Sequence, residues 1–205
     1  MQAESVERLY SFYAYRAFDI GFRLETLHWV AQWAKNTGRT FKLYGKGWQD
    51  VPGLAPFAMG PIEHGEPLRK AYRCAKFAIQ TMPAGFLHQR SLEAIASGCL
   101  VLYRYIATDF DGLTLEEARR RLQAGESLIA SAAKFRRLEQ VAFRNQEELA
   151  SAAQRLLDDP ESYQRLLGEF RERVSQEFSY DRVIPQVIGQ MRDALQRQAK
   201  RPARP

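Results

Sequence analysis

Gly85-Phe86-Leu87-His88-Gln89-Arg90-Ser91-Leu92-Glu93-Ala94-Ile95-Ala96-Ser97-Gly98, followed directly by Cys99-Leu100-Val101-Leu102-Tyr103, predicts a loop, a short helix, a glycine stop and a buried strand. Leu92, Ile95 and Ala96 recur at i, i+3 and i+4, one apolar stripe along a helix. Arg90, Glu93 and Ser97 form another stripe, with a cation and a carboxylate facing the same way near the helix start. Gly98 stands where a helix C-cap wants positive φ. The five residues after it are continuously apolar, as in a parallel strand covered on both faces. In such sheets the helix N-termini lie at the carboxyl ends of the strands, where ligands bind.

Working outward, residues 8–15 are aromatic-rich and partly alternating, which predicts a first strand. Residues 16–19 follow as its loop and residues 20–35 as a helix with a broad apolar face, stopped by Asn36-Thr37-Gly38. Residues 40–44 are a second strand, parallel to the first across a right-handed crossover, and Gly45-Lys46-Gly47-Trp48 its exit loop. Residues 52–67 hold four prolines and three glycines, a loop with a short strand near 57–59. A helix at 68–74 and a strand at 76–80 lead back to the opening stretch. Repeated strand–helix alternation predicts an α/β fold, a single Rossmann-like doubly wound parallel sheet with a helical C-terminal extension.

Beyond Tyr103, residues 104–140 read as an insertion. Thr114-Leu115-Glu116-Glu117 is a capping box for a helix to about 124, and residues 139–143 are a late strand. Asn145 starts a helix to 157, Asp159 and Pro160 start another to 178, and residues 181–198 form a final amphipathic helix with Pro185 near its start. Residues 1–198 make one domain, and residues 199–205 a basic, disordered tail.

The chain has 205 residues, 45% hydrophobic and 26% charged, enough to bury a sizeable core as a globular protein. No apolar run approaches the ~20 residues of a membrane span, and the first residues carry no signal-peptide core, so a cytoplasmic location is expected. Cys74 and Cys99 lack metal or redox spacing and read as buried thiols in a reducing cytosol. The net charge of +6 is uneven: from Arg192 onward five basic residues face Asp193 alone, leaving about +2 on the body. Nucleic acid is therefore not the expected partner. The tail is read as a solvated end, with weak attraction to anionic lipid at about 1 kcal/mol per basic residue.

Three constellations carry chemistry. The Gly45-Lys46-Gly47 loop lets backbone amides approach a phosphate or sugar, or is a plain turn; neither a G-x-G-x-x-G nor a Walker loop is completed. The start of the 89–96 helix, approached from Gly85, offers amides and the positive dipole end to a diphosphate, with Arg90 adding charge and Glu93 placed to accept two hydroxyls. The alternative is an Arg90–Glu93 surface pair worth ~0.2–0.5 kcal/mol. Asp109-Phe110-Asp111 is a D-x-D, which holds a divalent metal on a diphosphate or is a chance acidic loop. His28, His64 and His88 show no ligand spacing, and no metal site is assigned.

The order Leu43-Tyr44-Gly45-Lys46-Gly47-Trp48, a Pro/Gly loop, then His88 to Gly98 resembles the C-terminal, donor-binding domain of GT-B-fold glycosyltransferases, nearest to the CgeB-like and group 1 branch. Phe143-Arg144-Asn145-Gln146-Glu147-Glu148-Leu149, Leu157-Asp158-Asp159-Pro160 and Phe178-Ser179-Tyr180 are similar to that family's tail. The resemblance implies a metal-independent transferase domain that binds a UDP-, GDP- or dTDP-linked sugar and uses no other cofactor. By it Glu93 holds the ribose, and Phe86, Leu87, His88 and Arg90 hold the diphosphate. Gly45, Lys46 and Gly47 lie near the base or donor. Placement at the first strand's exit adds Arg16 or Arg23 as a further phosphate contact. Retaining group 1 members usually carry a second glutamate eight positions before the ribose-binding one; here that position is Gly85. A GT-B enzyme pairs two such domains, so an acceptor-domain chain or a second copy is an expected partner. The alternative is a catalytically inactive scaffold on the same fold.

Overall fold

A computed structural model describes residues 6–7, 9–130 and 134–199. The expected tail at 199–205 lies, from residue 200 on, outside the described residues, as does Arg8 at the head of the expected first strand.

Helices and parallel strands alternate as in a Rossmann-like half-domain. The first helix, α1 (Tyr15–Thr37), leads into β1 (Leu43–Tyr44), β2 (Ala58–Gly60), α2 (Glu66–Arg73), β3 (Phe77–Gln80), α3 (Gln89–Ala96) and β4 (Leu100–Arg104). After these come α4 (Leu115–Gln123), β5 (Ala142–Phe143), α5 (Gln146–Asp158), α6 (Pro160–Arg173) and α7 (Tyr180–Ala199). Strands β1 and β2 form one parallel pair, and β3-β4-β5 a three-stranded parallel sheet centred on β4.

Strand β4 is the strand foreseen after Gly98. Its Leu100, Val101, Leu102 and Tyr103 are all buried, and successive side chains point to opposite faces, so both faces are covered. Gly98 takes φ +91 between α3 and β4. The caps read from the sequence are formed: Thr114 accepts from the Glu117 amide, Asn145 from Glu148 and Asp159 from Ser162. The main core unites Phe86, Tyr103, Phe135, Phe143, Phe170 and the inner faces of α3, α5 and α6.

The predicted first strand is corrected. Residues 10–14 form a π-helical turn continuous with α1, so residues 16–19 are helix rather than loop, and the crossover between residues 8–15 and 40–44 does not exist. Tyr10, Phe12, Tyr13 and Phe18 are exposed there. Among the described residues no neighbouring strand pairs this segment, and a helix satisfies its own backbone where an unpaired strand would not. Helix α1 instead joins the two sheets. Val30 enters the main core, while Leu27 and Ala31 pack with Leu43 and Leu54 in a second, smaller core.

Candidate functional site

The turn that starts α3 is built around His88. Its ring Nδ1 accepts the Arg90 amide at 3.2 Å, which places the ring proton on Nε2, and its carbonyl accepts the Ser91 and Leu92 amides. The amides of Leu87 and Gln89 donate to no protein acceptor among the described residues, at the positive end of the helix dipole. Burial holds the His88 imidazole below its ordinary 6.5, and the nearby Arg90 and Arg23 guanidiniums push the same way. Neutral His88 is the form that caps the helix.

Arg23 comes to this turn from α1. Its guanidinium is held by a bidentate pair with Asp19, at 3.0 and 2.9 Å, and its Nη2 lies 2.6 Å from Met82 Sδ in the loop after β3. Arg16, the other candidate from the sequence for this phosphate contact, is exposed two helical turns closer to the N-terminus, about 10 Å along α1. The structure therefore brings Arg23, and not Arg16, beside His88 and Arg90.

The Arg90–Glu93 surface pair is not formed: Arg90 ion-pairs with no carboxylate among the described residues. Gln89 donates to Glu93 Oε1 at 2.7 Å instead. Glu93 Oε2 is buried without a hydrogen-bond partner, an unusual state for a carboxylate oxygen. Tyr72 of α2 lies alongside. Its phenol is pushed above its ordinary value by burial and then by the Glu93 charge. Ser91 Oγ, in the first turn of α3, is also buried without a partner.

Other assigned residues play backbone roles. Phe86 is fully buried, its ring packed against Tyr103, Phe135 and Phe170, and its amide donates to Asp109 Oδ2 at 2.7 Å. Its N–H is thus not offered outward, whereas the half-exposed Leu87 next to it is. The Gly45-Lys46-Gly47 loop belongs to the two-stranded sheet. Gly45, at φ +136, donates to Gly60 O and lies under the Trp48 indole, where a Cβ would come 2.6 Å from Nε1. Gly47, at φ +85, opens the turn Trp48–Asp50, and Lys46 is exposed.

The D-x-D carboxylates serve different segments, Asp109 buried and Asp111 exposed. Asp109 is 5% exposed on the Phe86 amide, and Asp111 caps the amides of Ile129 and Ala130 at 2.7 and 2.9 Å. Among the described residues no group of three or more His, Cys, Asp or Glu side chains is placed to hold a metal. Burial pushes the Cys99 thiol up to about 12, which makes it an inert core residue, whereas Cys74, expected to be buried as well, is exposed at the end of α2. Tyr72 had no local signature, and the D-x-D spacing that marks Asp109 points to a metal rather than to the Phe86 amide; both reach the turn through tertiary packing.

The profile of a family described as glycosyl transferase-like matches residues 23–189, most of the chain. The chain belongs to the glycosyl transferase-like family. The match runs from Arg23, through the α3 turn and Glu93, into α7. No curated protein and no solved structure matches the chain. No helix among the described residues is long and apolar enough to cross a membrane.

Proposed function

We propose that this glycosyltransferase domain binds a nucleotide-diphosphate sugar at the α3 turn for transfer to an acceptor. The observation that carries the reading is the unpartnered, buried Glu93 Oε2 one turn inside a helix start that two arginines face. A vicinal ribose diol supplies the donors that oxygen lacks. The diphosphate then lies at the Leu87 and Gln89 amides, with Arg90 on one side and Arg23 on the other. During transfer the nucleoside diphosphate leaves and negative charge grows on its bridging oxygen; preorganised amides and guanidiniums stabilise that charge without reorganisation. Residues 1–198 act as the donor-binding unit and the acceptor is held by a separate domain or chain. A thermal-shift panel tests this. UDP, GDP or dTDP raises the melting temperature, and the matching nucleoside without phosphate does not; no shift with any diphosphate at millimolar concentration contradicts it.

A second reading, a partner-binding module without turnover, is supported by a different observation. Tyr180, Ile184, Val187, Ile188, Met191 and Leu195 form one exposed apolar stripe along α7. Residues 9–20 expose Leu9, Tyr10, Phe12, Tyr13 and Phe18 likewise. Turnover of a sugar donor by the purified chain alone contradicts this module reading, and sedimentation of the chain with and without candidate partners measures what covers the stripes.

A further inference from the structure

Asp109 is a buried carboxylate that the transfer chemistry does not use. Burying it removes its hydration, a cost that only strong compensating hydrogen bonds offset. It is 5% exposed at the end of the turn Ala107–Phe110 that follows β4. One oxygen accepts the Phe86 amide at 2.7 Å, a charge-assisted bond. Both oxygens press on Gly85, where an added Cβ would lie 2.8 Å from Oδ1 and 3.2 Å from Oδ2. Gly85 itself sits at φ +100, a conformation that favours glycine. Position 85 has no side chain because the carboxylate of residue 109 fills its place.

We propose that Asp109 is a positioning residue of the donor site, tying the loop that enters α3 to the exit of β4. The proposal rests on the donor-binding reading of that turn. Phe86 is held twice, by its ring between Tyr103, Phe135 and Phe170 and by its amide on Asp109. The chain then leaves Phe86 in one direction only, which points the Leu87 and Gln89 amides outward together. Two consequences follow. The anion-binding amides begin at Leu87, since the Phe86 N–H is committed. Preorganisation of the turn also depends on a residue from the segment after β4, remote in sequence from the turn it serves.

The test uses Asp109→Ala, Asp109→Asn and, as a control, Asp111→Gly, which removes the other carboxylate of the pair at a position already at φ +56. Amide hydrogen exchange at Phe86 is measured by NMR, and UDP, GDP and dTDP binding by calorimetry. Asp109→Ala is expected to speed Phe86 exchange and to weaken diphosphate binding, each by about tenfold, the equivalent of one lost hydrogen bond. Asp109→Asn, which keeps an acceptor, falls between, and Asp111→Gly changes neither. Glu93→Ala weakens binding with Phe86 exchange unchanged, which separates ligand contact from positioning. Wild-type affinity in folded Asp109→Ala overturns the proposal. If that variant does not fold, Asp109→Asn decides, and wild-type exchange and affinity in it overturn the proposal. If the wild-type chain binds no nucleotide the donor reading fails; unchanged Phe86 exchange in the Asp109 variants then separately refutes the anchoring of the loop.

Discussion

The Arg104 guanidinium is stacked between Phe22 and Trp29, 4.2 and 4.4 Å from their ring centroids, while Glu25 takes its Nη2 at 2.7 Å. Its Nη1 also reaches the Phe22 carbonyl and Thr26 Oγ1. This side chain, at the end of β4, ties α1 to the sheet at the residue before Arg23.

Arg104→Ala is expected to cost about 2–3 kcal/mol, from two partly desolvated cation–π contacts and the lost hydrogen bonds to the Phe22 carbonyl and the Thr26 hydroxyl, which keep their bond to each other. Urea denaturation measures it. Arg104→Lys recovers less than half, because an ammonium does not lie flat between two rings.

Gly85→Ala places a Cβ against the Asp109 carboxylate at a φ that L side chains rarely adopt. A loss of about 2–3 kcal/mol is expected, from backbone strain and overpacking together. Gly85→Glu is expected to be at least as damaging, and a stable, active Gly85→Glu chain would contradict the packing described for Asp109.

Phe86→Ala separates side chain from backbone at a position that the sequence assigns to the ligand site. The ring lies in the core, so a loss of about 3–5 kcal/mol in unfolding free energy is expected. A small stability change with a large loss of nucleotide affinity would instead place the ring at the ligand.

His88 gives a pH signature. Its folded-state value is lowered, so below the ordinary 6.5 the unfolded chain binds the extra proton first, and stability falls as pH drops from about 6.5 through the lower folded value. Above 6.5 the contribution is constant. Protonation also removes the Nδ1 acceptor from the Arg90 amide and loosens the first turn of α3. An NMR titration of the ring is expected to give a midpoint below 6.5, moved upward by a bound nucleoside diphosphate, whose charge offsets the two arginines. A midpoint at or above 6.5 in the free chain contradicts the packing of this turn.

The opening stretch, the three caps at Thr114, Asn145 and Asp159 and the burial of β4 were legible because each is written within a few residues: apolar spacing, an oxygen-bearing cap, a glycine stop. Residues 8–15 were not. Their aromatics at 10, 12, 13 and 15 fit both a period of two and a helix, and only the lack of a strand to pair with among the described residues decides. Arg16 and Arg23 share one stripe of α1, and choosing between them needs the contact of α1 with Met82 and β4. The roles of Asp109 and Tyr72 come wholly from packing between segments. Glu93 could be named from its helix, but the alternative that it pairs with Arg90 is excluded only by the Gln89 bond and the empty side of Oε2.

The central claim is tested most directly by calorimetric titration of UDP, GDP and dTDP, and their sugars, into the wild-type chain and Glu93→Ala. Saturable binding of one base series by wild type is expected, weakened by about tenfold or more in Glu93→Ala through loss of hydrogen bonds to a charged acceptor. No binding of any nucleotide at millimolar concentration, or equal affinity in the two proteins, contradicts it.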